Sequence, residues 1–384
     1  MTFRHAALLV LGLAIARGVS GQSSAPEGIS LPTDLRVQSP EWWPTKGDRG
    51  REEYVGSAEC AKCHAEKAAT YQTTAMAHAA GAAADSEMLQ QHKLVRLRIG
   101  PYNYQLQTSD GKSILQISDQ KSSISENLLW ALGVGHMGQT YLYERDGSFY
   151  ESHLSFFSAP EALDITPGQP RDTPQALADA AGRRLSPDET HRCFACHTTA
   201  STAKNAFDLT HLFPGVTCEA CHGPGASHIA LAKSGDIAPG LILNPAHLNR
   251  VDSVDFCGAC HRTWEDVVIG GLTGVGVFNV RFAPYRLENS KCWKKGDERI
   301  TCVACHDPHQ PLVRSAASYD ARCLACHNQT VGQKRSTAHP APACPVRTSD
   351  CVTCHMPPVE PPGLHSTFTD HWIRIVRKGS PYPN

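Results

Sequence analysis

From Leu94 to Ile99 apolar residues alternate with Arg96 and Arg98, and beyond them Tyr102, Tyr104 and Leu106 alternate with Asn103, Gln105 and Gln107. A period of two places every apolar side chain on one face of an extended backbone, so this stretch predicts half-buried antiparallel strands. Asp110-Gly111 and the short run Ile114 to Ile117 continue the pattern. Asp-Gly favours the positive φ angles of a tight hairpin turn. The same dipeptide returns at Asp146-Gly147, between Tyr141 to Glu144 and Ser148 to Phe157, and predicts a second hairpin.

These runs define a small β-rich module at 93–158. The Pro-rich stretch from Pro160 to Pro187 reads as a linker over the surface, giving a boundary at 159–190. Ala65 to Ala80 reads as helix. From 191 onward there is no sustained periodicity, which predicts short helices and loops. The fold class expected is therefore mainly α and irregular, with a small antiparallel β module inserted.

At the start, Arg4 and His5 precede an apolar run from Ala6 to Ala16, followed by Val19, Ser20 and Gly21. This is the pattern of an export signal cleaved near Gly21. The run is too short to span a bilayer, and no later stretch approaches the roughly 20 apolar residues that spanning requires. The expected organisation is a signal at 1–21, an N-terminal linker at 22–55, a first segment at 56–92, the β module, the linker, a domain at 191–371 and a tail at 372–384. The mature chain is expected in the periplasm or outside the cell, with an uncleaved anchor as the alternative.

Charge adds little: 36 basic against 37 acidic residues leave a net −1, which suggests neither a nucleic-acid partner nor a membrane-surface role.

Cysteine adds a great deal. Fourteen of the 16 cysteines stand in Cys-X-X-Cys-His: Cys60, Cys63 and His64; Cys193, Cys196 and His197; Cys218, Cys221 and His222; Cys257, Cys260 and His261; Cys302, Cys305 and His306; Cys323, Cys326 and His327; Cys351, Cys354 and His355. Each is the attachment signature of a c-type haem, two thiols for the vinyl groups and an adjacent imidazole for the iron. Zinc and dithiol chemistry would not demand a histidine after every pair. Seven covalent haems are predicted. Six of the motifs crowd between Cys193 and His355, too little chain per site for an ordinary core, so the porphyrins are expected to supply it.

The segments GSAECAKCH, GVTCEACHGPGASH, ITCVACHDPHQPL, YDARCLACH and DCVTCHMPPVE, with HSTFTDHWIRIVR, resemble the multihaem cytochrome c family that includes hydroxylamine oxidoreductase and its tetrahaem electron acceptor. The resemblance runs from about Val55 to Arg377. It implies covalent haem c, iron and either electron transfer or redox chemistry on nitrogen compounds. It also implies that His365 or His371 is a terminal axial ligand. Neither a Cys-X-X-Cys-Lys motif nor a tyrosine matching the oxidoreductase's crosslink is found.

A filled sixth position favours electron transfer, whereas an open one can bind substrate. Of 20 histidines, seven stand in the motifs and His5 in the signal. His309 and His228 follow their own motifs after a turn, so each is aimed at a neighbouring haem. His78, His136, His153, His247 and His371 complete the set of candidate distal ligands. His92, His191, His211 and His339 read as surface residues, and Met76 or Met137 is the rarer ligand.

This surplus favours an electron carrier working between redox partner proteins or membrane quinol-linked complexes. The alternatives are an oxidoreductase acting on a small nitrogen or sulfur compound at one open haem, or a structural subunit of a larger haem assembly. The two remaining cysteines, Cys292 and Cys344, are expected to pair as a disulfide in an oxidising compartment.

Overall fold

The computed structural model describes residues 50–133, 137–203, 206–236, 241–294, 296–327 and 343–377, with Gly379 and Tyr382. By contacts the chain divides into Met1–Leu31, which lies outside the described residues, and Pro32–Asn384, the subject of all that follows. The expected signal and His136 and His339 also fall outside.

The alternating stretches form strands: β1 (Ala80–Ala82), β2 (Leu94–Ile99), β3 (Tyr102–Ser109), β4 (Lys112–Ser118), β5 (Ser123–Leu132), β6 (Gly138–Arg145), β7 (Ser148–Ser152), β8 (Leu154–Phe157), β9 (Ala162–Ile165) and β10 (Gly182–Arg184). They build one antiparallel sheet in the order β10-β7-β6-β5-β4-β3-β2, with β1 on β5 and β8 bridging β6 and β9. At the two hairpins Asp110 and Gly111 take φ of 52° and 70°, and Asp146 and Gly147 take 51° and 69°, as the mirror-image turns require. Tyr104 pairs with Ile117 and Leu106 with Leu115, so the alternation lands on one buried face. That face closes over Leu128, Tyr141, Tyr143, Leu154 and Phe156.

The module is larger than the periodicity predicts, and "mainly α" is corrected to short helices beside a ten-stranded sheet. Strands β9 and β10 come from the stretch expected to be linker. With four and three residues respectively, they are too short for a period-two signal and owe their form to pairing with β8 and β7.

The helices are short throughout. Ser57–Ala61 (α1) and Ala65–Tyr71 (α2) come first, and α2 ends well before Ala80, in a Thr-rich stretch where the Thr70 and Thr73 hydroxyls bond backbone carbonyls of the last turn. Glu87–Gln91 (α3) and Leu177–Ala181 (α4) cover the sheet, Ala180 and Ala181 of α4 entering its core. Pro187–His197 (α5), Cys218–His222 (α6), Ala226–Ser234 (α7), Arg250–His261 (α8), Trp264–Val268 (α9), Ala283–Glu288 (α10), Lys291–Lys294 (α11), Cys302–Cys305 (α12), Asp320–His327 (α13) and Cys351–His355 (α14) follow, among short 3-10 turns and three two-stranded ladders. Among the described residues no helix is long and apolar enough to cross a membrane.

Phe194 joins the two parts. It lies between the cysteines of the second motif, is wholly buried, and packs edge-on against Trp130 and Phe149 of the sheet at 5.1 and 5.6 Å.

Candidate functional site

In all seven motifs at least the first cysteine lies in a helix. Where the turn continues, residues three and four apart share one face, so both thiols project together and the histidine stands above the first cysteine. Side-chain caps start three of these helices: Ser186 accepts from Glu189 N for α5, Asn249 from Asp252 N for α8, and Thr301 from Ala304 N for α12.

Three motif histidines are oriented by backbone carbonyls. His197 Nδ1 stands 2.9 Å from Ala79 O, His222 Nδ1 2.7 Å from Leu243 O, and His355 Nδ1 2.9 Å from Arg374 O. A carbonyl can only accept, so the proton sits on Nδ1 and the Nε2 lone pair is left for a metal.

Two further histidines face motif histidines. The rings of His222 and His309 lie 5.9 Å apart at 15°, and those of His306 and His371 lie 6.1 Å apart at 43°. Imidazoles on opposite sides of one metal, each bonded at about 2.0 Å, have ring centres roughly 6 Å apart. Both carry an Nδ1 partner: His309 has the Asp307 carboxylate at 3.3 Å and His371 has Thr369 O at 3.0 Å. Desolvation, reinforced by His306, pushes the half-buried His371 down to about 4, so it is neutral.

The other candidates are placed differently. His78 turns Nε2 toward Gln72 O at 2.6 Å. His153 is buried inside the sheet module, its Nδ1 3.0 Å from Gln169 Oε1. His247 is exposed, with Nε2 3.3 Å from Asn244 Nδ2. His228 is half-buried on α7. His365 pairs with Asp164 at 2.7 Å, leaving His371 as the terminal histidine that faces a motif. Cys292 and Cys344 are not bonded to each other in this structure, against the expected disulfide. Cys292 rides on α11, which Arg250 anchors by stacking on Trp293 and bonding its carbonyl.

The motifs form a contiguous array. Cys218 Sγ lies 3.3 Å from Ser57 Oγ, and Glu219, buried within the third motif, accepts from the N–H groups of Val55, Gly56 and Gly225 at 2.8–2.9 Å. First and third motifs are thereby neighbours. Gly215 has φ of 75°, and a Cβ there would meet Ala77 O at 2.0 Å, so only glycine lets the chain entering the third motif approach so closely. Cys221 and Cys257 pack in one small cluster, joining the third to the fourth. Helix α12 packs on α8, joining fourth to fifth. His306 meets Tyr319, just before α13, at 5.5 Å. Asp320 accepts from the backbone N–H groups of Asp350 and Cys351 at 2.7 and 2.8 Å, tying sixth to seventh. Cys196 Sγ reaches Ala259 O at 3.7 Å, which sets the second motif beside the fourth.

These residues fit covalently held haem. Among the described residues beyond α5, Phe256 and Ala259 form one small cluster and Val254, Val267, Val280, Tyr285 and Leu287 are also buried, while Trp264, Ile269, Leu312, Val313, Val346 and Ile375 stand exposed. Exposed apolar side chains beside so small a core suit a chain packed around macrocycles.

Motif chemistry and geometry define the class, a multihaem c-type cytochrome. The family model for cytochrome c554 and c-prime matches residues 168–223, which hold the second and third motifs. Among solved structures, the crystal structure of the outer cell wall cytochrome OcwA is similar at 14% identity with a TM-score of 0.39, covering 84% of this chain and 80% of that one. No curated protein matches.

The sequence did not disclose Glu219, Asp320 or the carbonyls that orient the motif histidines, since a backbone acceptor carries no residue identity. Asp307 was visible, two positions before His309.

Proposed function

We propose that the chain is an exported heptahaem c-type cytochrome that relays electrons between redox partners through bis-histidine haems. The observation that carries this reading is the pair of facing imidazoles, His222 with His309 and His306 with His371, each separated by the span of one metal and its two bonds. The haems, when bound, supply one-electron chemistry. The chain's part is to hold Nε2 of each axial histidine toward the iron, to exclude water, and to fix the order of sites. That order runs from the first motif through the third, fourth, fifth, sixth and seventh, with the second attached at the fourth. Filled axial positions favour electron transfer over substrate binding.

The test is intact mass with an electron paramagnetic resonance spectrum of the oxidised holoprotein. Seven haem masses on the polypeptide cleaved near Gly21 and a spectrum dominated by low-spin ferric signals are expected. Fewer haems, or a predominant high-spin signal, would overturn the reading.

A further inference from the structure

Arg286 and Asp370 form a fully buried ion pair, both side chains with no solvent exposure. The contact is bidentate, Nε to Oδ1 at 2.8 Å and the second nitrogen to Oδ2 at 2.9 Å. Asn279 Oδ1 takes a third guanidinium bond at 3.3 Å, and the guanidinium is covered by the rings of Trp372 and Tyr382 at 4.8 and 4.5 Å. Asp370 also accepts from Trp372 N at 3.0 Å and from Arg374 Nη1. Burying two charges is poorly repaid in stability against an apolar pair of similar volume. What so rigid a lattice does supply is position.

The segment it fixes carries two haem-facing groups. His371 follows Asp370 directly and faces His306. Three residues further on, Arg374 O accepts the Nδ1–H of His355 and Arg374 N donates to His355 O at 3.2 Å. Ser290, two residues beyond α10, completes the frame: its hydroxyl donates to His371 O at 3.3 Å and accepts from Ile373 N at 2.8 Å. One five-residue strip thus orients the candidate distal ligand of the fifth motif and the proximal ligand of the seventh.

We propose that Arg286 and Asp370 are positioning residues for two haem irons at once, holding His371 over the fifth site and the carbonyl of Arg374 on His355 of the seventh. The proposal rests on the bis-histidine reading for its first half. Its second half stands on the His355 bond alone. Because a hydrogen bond on Nδ1 raises the ligand's basicity, and basicity tunes the metal, loosening the strip should move two redox components together and leave the others in place.

The experiment uses the intact holoprotein with Asp370→Asn, Arg286→Gln, Ser290→Ala and His371→Ala, each checked for full haem content. Potentiometric titration and carbon monoxide binding by the reduced protein are recorded. His371→Ala should bind carbon monoxide at one haem. Asp370→Asn and Arg286→Gln should bind it partially at that same haem and shift the midpoint of one further haem, and Ser290→Ala should give the same two changes at smaller amplitude. If His371→Ala opens no haem, the axial role of His371 fails, and with it the first half. If Asp370→Asn keeps every potential and binds no carbon monoxide, the positioning role is overturned. Should the charge-altering variants not accumulate, Ser290→Ala decides, since it disturbs the strip without leaving a buried charge unpaired.

Discussion

Glu219 Oε2 accepts the backbone N–H of Gly56 at 2.8 Å, across 163 positions of chain. Gly56 opens α1, which carries Cys60, and Glu219 lies between the cysteines of the third motif, so a single carboxylate sets two Cys-X-X-Cys-His motifs side by side.

Glu219→Ala would leave two buried backbone N–H groups, of Gly56 and Gly225, and the half-buried one of Val55 without their acceptor, at roughly 1–3 kcal/mol for each buried group before relaxation. A loss of about 3 kcal/mol is expected, with a smaller one for Glu219→Gln, which keeps one acceptor oxygen. Denaturant unfolding followed by haem absorbance checks this, and an unchanged midpoint in the alanine variant would refute it.

His309→Ala should open a single haem, and Asp307→Asn should leave that haem closed while shifting its midpoint potential. The carboxylate is the Nδ1 partner, and such partners make a ligand more basic. Carbon monoxide titration of the two reduced variants separates ligand from partner.

Glu189 caps α5, accepting Ser186 N at 2.8 Å and a guanidinium nitrogen of Arg183 at 2.6 Å, bonds that lower its pKa from 4.5 to about 2. A carboxylate lowered in the folded state stabilises above its unfolded value, and that contribution fades as pH falls from about 4.5 toward 2. The pair is largely exposed, so the effect should be modest and weaken with salt. Thermal melts of the wild type and Glu189→Gln should converge over that window. Ser186→Ala should cost about 1 kcal/mol at neutral pH.

Phe194→Ala would empty a fully buried ring site between Trp130 and Phe149, at about 3–5 kcal/mol. Because Phe194 stands inside the second motif, incomplete haem attachment at Cys193 and Cys196 is expected alongside, readable by peptide mass.

The parts legible in the sequence were those with a local signature. Tyr102 to Gln107 and Ile114 to Ile117 announced β3 and β4 by alternation, Asp110-Gly111 announced their turn, and each Cys-X-X-Cys-His marked a candidate attachment site. What was not legible depended on partners distant in sequence. Strands β9 and β10 exist through pairing with β8 and β7, and Pro160 to Pro187 looked like linker because three or four residues cannot display a period. The distal histidines could be collected but not matched, since His309 meets His222 only through the turn after Asp307. His78 and His153 looked like candidates by position, yet one is turned to Gln72 and the other is enclosed in the sheet.

Apolar interior is distributed unevenly along this molecule. The sheet brings its own filling in Tyr104, Leu115, Tyr141 and Phe156, so it can close on contacts within the polypeptide. The chain after α5 buries less, Val254, Phe256, Val267 and Val280 among its few enclosed side chains, and on the proposed haem reading it leans on its porphyrins for the rest. Phe194, seated in the sheet, holds Cys193 and Cys196 on a platform that needs no cofactor to form, so of the seven motifs the second is the one whose backbone the sheet itself positions.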